Sequence, residues 1–173
     1  SNILKGLYPS PHPTTQLCLE VVEQYVRPGD MVIDVGCGSG ILSIAAVKLG
    51  ASHVLGVDID RAAIQATREN ADANGTVGQI EVGVGSVNEI RSGTFSIRQA
   101  TFVLANILAP VIIRLSDAGL ADLVEHGGLL ALSGILADQS PDVEAAAVEH
   151  GLTFVECKQS GDWVVVVFRK EKA

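Results

Sequence analysis

The stretch Met31-Val-Ile-Asp34-Val-Gly36-Cys-Gly38-Ser-Gly40-Ile-Leu-Ser-Ile-Ala-Ala46 constrains the fold more than any other part of the chain. A short run rich in Val and Ile is followed by three alternating glycines, then by an apolar pattern of helical period. That order reads as buried strand, tight turn and helix, the opening of a βαβ unit. Such a turn presents backbone N–H groups and a helix N-terminus to a ligand. Glycine is required because a side chain would hold the ligand off the backbone, and because tight turns often need positive φ.

Spacing narrows the ligand. A dinucleotide fingerprint, G-x-G-x-x-G, would place its third glycine at position 41, where the chain has Ile41. The pattern is instead D-x-G-x-G-x-G, with Asp34 on the strand just before Gly36, Cys37, Gly38 and Gly40. A pyrophosphate would be repelled by that carboxylate. A ligand carrying a sulfonium and an ammonium, such as S-adenosylmethionine, is compatible with it. A second acid, Asp58, ends the next apolar run and is followed by Ile59, about twenty residues on, where such folds bind ribose hydroxyls. A structural glycine turn and a nicotinamide site remain as alternatives; binding of a methyl donor is the favoured reading. Cys37 reads as a small side chain beside the ligand rather than a nucleophile.

The 173 residues, 47% of them hydrophobic, suffice for one domain with a full core. No apolar run approaches the roughly 18 residues of a membrane span, and no signal peptide is visible. Three cysteines without C-x-x-C spacing argue against a disulfide framework and against a zinc site, and they suit a reducing cytoplasm. A cytoplasmic location and no metal are therefore expected. The formal net charge of −8 disfavours direct nucleic-acid binding and suits a Lys-rich protein substrate.

The remaining elements follow from periodicity and turn residues. Leu7 to Thr15, with three prolines, reads as extended chain leading into a helix over 14–26, with Thr14 and Thr15 as caps. After the glycine loop come a helix to about Leu49, a strand to Asp58, a helix over 61–74 and a strand near 79–84. A short helix or loop is expected within 85–99. Then come a strand over 100–105 ending at Asn106, a helix over 111–124, a strand over 129–133 and a helix capped by Ser140. The end reads as a hairpin over 153–158 and 162–169. Strands alternating with helices imply an α/β fold with a mostly parallel sheet covered on both faces; the hairpin adds an antiparallel terminal strand. In such sheets ligands sit beyond the carboxyl ends of the strands, so Asp34–Gly40, Asp58 and Asn106 share one rim. A lone Asn after a strand is often a turn residue. Here its carbonyl is placed to accept a hydrogen bond from a substrate amine and aim the lone pair at a methyl carbon.

With these residues in hand, the chain resembles the PrmA family, the bacterial methyltransferases of ribosomal protein L11. The matching segments are His12-Pro-Thr-Thr-Gln-Leu-Cys-Leu-Glu20, the stretch from Asp34 to Ala46, Gly56-Val-Asp-Ile-Asp60, Glu69-Asn70, Ala105-Asn-Ile-Leu-Ala109, Gly127 to Leu136 and Gly161-Asp-Trp163. The resemblance implies a class I S-adenosylmethionine-dependent methyltransferase, with a Rossmann-like sheet of seven strands. It implies donor contacts from Thr15, Gly36, Asp58 and Asn106, and Asp34, Cys37, Gly38, Gly40 and Ile59 of the loop and strand ends complete the expected donor site. By the resemblance the acceptor is an amine (lysine or α-amino group) of a protein such as a basic ribosomal one; from their places in the chain, Asn106 is expected to orient that amine and His12 to relay a proton or orient it. A small-molecule methyltransferase and a donor-binding module without catalysis are the alternatives. Residues 1–173 are expected to form one catalytic domain, with 1–30 as a segment and helix covering the cofactor and without the family's N-terminal substrate-recognition domain. The family's F-G-T-G-T stretch before H-P-T-T is replaced by Leu7-Tyr-Pro-Ser-Pro11.

Overall fold

The structure is a computed structural model that describes residues 2–7 and 12–173. Residues 8–11, the middle of the proline-rich segment expected to be extended, lie outside the described residues. Asn2–Leu7 forms a 3-10 turn, and α1 (Pro13–Tyr25) follows. The alternation of strand and helix then runs through β1 (Met31–Val35), α2 (Ile41–Lys48), β2 (His53–Asp58), α3 (Arg61–Ala73) and β3 (Ile80–Val84). A single-turn α4 (Val87–Arg91) leads to β4 (Ala100–Asn106), α5 (Ala109–Ala118), β5 (Val124–Leu136), α6 (Ser140–Glu149), β6 (Leu152–Ser160) and β7 (Trp163–Lys170).

All seven strands form one sheet in the order β3-β2-β1-β4-β5-β7-β6. β7 alone runs against its neighbours β5 and β6; the other pairings are parallel. Because successive side chains of a strand point to opposite faces, each strand feeds two cores. Val32, Val54, Phe102, Leu104, Val165 and Val167 pack beneath α1, α2 and α3. Ile33, Leu55, Val103, Val166 and Phe168 pack beneath α4, α5 and α6. Burial on both faces explains why β7 reads Val-Val-Val-Val-Phe without alternation.

Four features at element ends differ from those the sequence suggests. The helix expected over 111–124 ends at Ala118, because Gly119 adopts φ +107° and returns its N–H to Leu115 and Ser116 carbonyls as a left-handed cap. A 3-10 turn over Leu120–Leu123 follows, so β5 begins at Val124 rather than Leu129. Ser140 is not a cap: a 3-10 turn over Ala137–Gln139 runs directly into α6, and Gln139 Oε1 accepts the Leu136 N–H. The cap of α1 is His12 rather than either threonine, with Nδ1 accepting the Thr14 N–H at 3.1 Å and lying 2.7 Å from Thr14 Oγ1.

Candidate functional site

The chain adds β2 and β3 on one side of β1 and then crosses back to place β4 on the other. The carboxyl ends of β1 and β4 therefore flank the topological switch point, the place where open α/β sheets hold ligands. The glycine loop crosses this point and is held from below. Gly36 and Cys37 donate to the Val57 carbonyl at 2.8 and 2.9 Å. From α3, Thr67 Oγ1 donates to the Gly38 carbonyl at 2.9 Å, and Asn70 Nδ2 to the Ser39 carbonyl at 2.8 Å. Asp58 ties the loop to β2: Oδ2 accepts the Gly38 N–H and Oδ1 the Asp60 N–H, each at 3.0 Å. Each of these oxygens retains acceptor capacity.

Two cavities meet at this rim. One, of about 340 Å³, lies between Gly36, Asp58, Ile59 and Ser86 on one side and Asn106, Ile107, Leu108 and Val111 on the other. A second, of about 330 Å³, is bounded by His12, Thr14, Gly134 and Trp163, and again by Asn106, Ile107 and Leu108. The three residues after the β4 core are thus a wall common to both. Among the described residues lining the two cavities there is no lysine or arginine. A larger open hollow of about 600 Å³, between Arg91, Arg98 and Glu125, lies at the amino ends of β4 and β5, away from the glycine loop.

Asp58, Ile59, Gly36 and Asn106 all line the first cavity, and His12 and Asn106 the second. Ile59 is 81% exposed, an aliphatic side chain left standing at the cavity lip. Asp34 is different. Strand parity turns it toward α2, where it is fully enclosed and accepts from Ser43 Oγ at 2.7 Å. Its Oδ1 has no hydrogen-bond partner among the described residues. Burial pushes its carboxyl up to about 6, opposed by the Ser43 hydrogen bond and reinforced by the charge of Asp58. Asp34 was expected in the donor site; it is instead buried beneath the loop and is not among the residues lining either cavity. Cys37 is also turned away, with Sγ 3.4 Å from Thr67 Oγ1. Burial pushes its thiol up to about 12, which leaves it unsuited to nucleophilic attack at neutral pH. Gly38 and Gly40 shape the loop and the start of α2 without lining a cavity. Thr15 sits half-buried in the first turn of α1 and is not a lining residue; its neighbour Thr14 is.

His12 is engaged through Nδ1 by its cap to α1, and its ring meets Trp163 edge-on, with centroids 5.5 Å apart. That nitrogen is acting as an acceptor toward the first turn of α1. Sequence reasoning missed Ser86, Val111 and Leu115 on the first cavity, and Thr14, Gly134 and Trp163 on the second. A signal existed for two of them. Trp163 is the chain's one tryptophan and stands at the hairpin turn, and Gly134 interrupts a strand near its carboxyl end.

Comparison with known proteins places the chain in a family. The family model for ribosomal protein L11 methyltransferase (PrmA) matches residues 10–171. A ribosomal protein L11 methyltransferase of Brevibacillus brevis is 43% identical over 159 residues, which are 92% of this chain and 49% of that protein. The chain thus spans about half the length of the curated relatives it matches. Among solved structures, the ribosomal protein L11 methylase of Lactobacillus delbrueckii subsp. bulgaricus superposes with a TM-score of 0.77 at 31% identity, covering 92% of this chain and 80% of that one. An RNA methyltransferase of Salinibacter ruber, solved in complex with S-adenosyl-L-homocysteine, has the same fold, with a TM-score of 0.71 at 21% identity and 95% coverage of each chain.

Proposed function

Because the chain belongs to the family of ribosomal protein L11 methyltransferases, we propose that it transfers a methyl group from S-adenosylmethionine to an amino group of a protein, with ribosomal protein L11 as the expected acceptor. The observation that carries this reading is the shared wall, with one cavity suited to an adenosyl donor, a second beside it, and Asn106 at their junction. Residues 1–173 act as the catalytic domain, and a bacterial cytoplasm is the expected location. No helix among the described residues is long and apolar enough to cross a membrane.

The residues present fit the donor. A cavity of about 340 Å³ lies within the range of small-molecule sites. Asp58 offers unfilled acceptor positions to ribose hydroxyls, Ile59 and Val111 offer aliphatic surface to a base, and the described residues of the lining include no lysine or arginine to repel a sulfonium. When bound, the donor supplies a methyl carbon already activated for in-line displacement. The protein's work is to orient, to exclude water and to accept a neutral amine. The Asn106 side-chain carbonyl accepts a hydrogen bond from the amine and leaves its lone pair free to face the first cavity. Asn does not titrate, so it aims the nucleophile without deprotonating it. At pH 7 a lysine amine needs about 4–5 kcal/mol to shed its proton, and an α-amino group only about 1. The apolar surfaces of Ile107, Leu108 and Trp163 lower that cost by disfavouring the charged form.

Calorimetric titration with S-adenosylmethionine, S-adenosylhomocysteine and NAD tests the donor assignment: binding of the first two and none of the third is expected. Tight NAD binding without response to the methionine derivatives overturns it. Mass spectrometry of ribosomal protein L11 incubated with the chain and isotope-labelled donor tests the acceptor.

A further inference from the structure

Gly134 stands where β5 departs from regular pairing. Between Leu132, opposite Val166, and Ile135, opposite Val164, β5 carries one residue more than β7, so Ser133-Gly134 forms a bulge. Gly134 adopts φ +83°, and a Cβ there would lie 2.9 Å from the Ile107 carbonyl carbon and 3.1 Å from the Ile107 nitrogen, closer still to the carbonyl oxygen. These are backbone atoms, so no side chain can swing aside. On the other side of Ile107, a Cβ on Gly36 would lie 2.5 Å from Ile107 Cγ2. Between these two contacts, Ile107 donates its N–H to the Ser133 carbonyl at 3.1 Å, and Asn106 pairs in register with Ser133. The wall dividing the two cavities is therefore seated between two residues that lack side chains.

We propose that Gly134 is a positioning residue for methyl transfer: it lets the Asn106-Ile107 peptide seat against the β5 bulge and so fixes the Asn106 side chain at the junction of the two cavities. This rests on the transferase reading above. Any side chain at 134 displaces the Ile107 carbonyl, and Asn106 moves with it. A misplacement of about 1 Å at a reacting group costs on the order of a hundredfold in rate. The ribose side of the donor cavity, built from Asp58 and Ile59 across the switch point, does not touch Gly134 and keeps its shape.

The test compares Gly134→Ala with Gly127→Ala in the full chain. Gly127 lies on the same strand at φ +88°, but a Cβ there meets nothing nearer than Lys172 Cγ at 3.5 Å, so it carries the backbone cost without the close approach. Three quantities are read: Ile107 amide hydrogen exchange, affinity for S-adenosylhomocysteine, and the single-turnover rate on ribosomal protein L11 at saturating donor. For Gly134→Ala we expect Ile107 exchange to speed up at least about tenfold and the single-turnover rate to fall about thirtyfold or more, with affinity held within about threefold. Gly127→Ala should leave exchange and rate within about twofold of the parent. An unmoved Ile107 amide, a retained rate in Gly134→Ala, or an equal rate loss in Gly127→Ala overturns the proposal. If the parent chain transfers no methyl group, the transferase reading fails, and the exchange comparison alone decides whether Gly134 seats the wall. If Gly134→Ala does not fold, exchange in the parent decides. Strong protection of Ile107, about a thousandfold, supports the seat, and exchange at loop rates removes it.

Discussion

Asn106 borders both cavities, and its removal should separate binding from chemistry. An interaction realised mainly in the transition state appears in the chemical step. Asn106→Ala should therefore lower the single-turnover rate about a hundredfold, with a much smaller loss of donor affinity by titration. Equal losses in the two would make Asn106 a donor ligand only. Asp34 gives a prediction of another kind. Its carboxyl, ordinarily near 3.8, sits at about 6 in the fold, so the folded chain binds a proton more tightly than the unfolded one. Stability is then fully supported at pH below about 4 and declines as pH rises to about 6, where the buried group ionises. Replacing it with a neutral amide removes that decline. Asp34→Asn should be more stable than the parent by on the order of 1–3 kcal/mol at pH 7, an advantage that shrinks toward pH 4 in urea titrations. A parent and variant that track each other across that range contradict the assigned burial. The sequence showed both residues on the rim, but not that Asp34 faces Ser43: parity within a strand buried on both faces is invisible in a continuous apolar run.

At the scale of elements, strongly patterned pieces were legible and their joints were not. β1, β2, β4, α2 and α3 fall within a residue or two of their expected bounds, because Gly50, Gly75 and the Pro28-Gly29-Asp30 turn punctuate them. The stretch from α5 to β5 was misjudged because an apolar run of helical composition, Leu120 to Val124, follows Gly119 without a break. Only the left-handed cap shows that the helix has already ended. That cap is tightly held: Arg91 Nη1 donates to the Ala118 carbonyl at 2.8 Å while Arg91 pairs with Asp122, and a Cβ on Gly119 would lie 2.6 Å from Arg91 Nη1. Gly119→Ala should destabilise the fold by about 1–2 kcal/mol, measured by chemical unfolding, through φ strain and displacement of Arg91. A change below about 0.5 kcal/mol would mean that the turn relaxes freely.

Across the whole molecule, the sheet order gathers residues from opposite ends of the chain at one rim: His12 and Trp163, 151 positions apart, meet edge to face above Asn106. The second cavity was not legible in the sequence for this reason, since it is made by α1, the β4 end, the β5 bulge and the β7 start together. The first cavity was legible because its glycine loop, acid and asparagine each mark the end of a strand. The wall of Asn106, Ile107 and Leu108 belongs to both chambers, which makes them adjoining rooms of one lodging. We expect a single molecule reaching past that wall to occupy both at once. An adenosyl group carrying an alkylamine through the position of the donor's sulfur would enter the second chamber without a second loss of translational freedom. The held amine faces an effective concentration in the millimolar range, so even a weak grip by the second chamber adds to the first. Such a tethered compound should bind more tightly than S-adenosylhomocysteine by at least about tenfold, and Gly134→Ala should erase the gain while leaving S-adenosylhomocysteine binding in place.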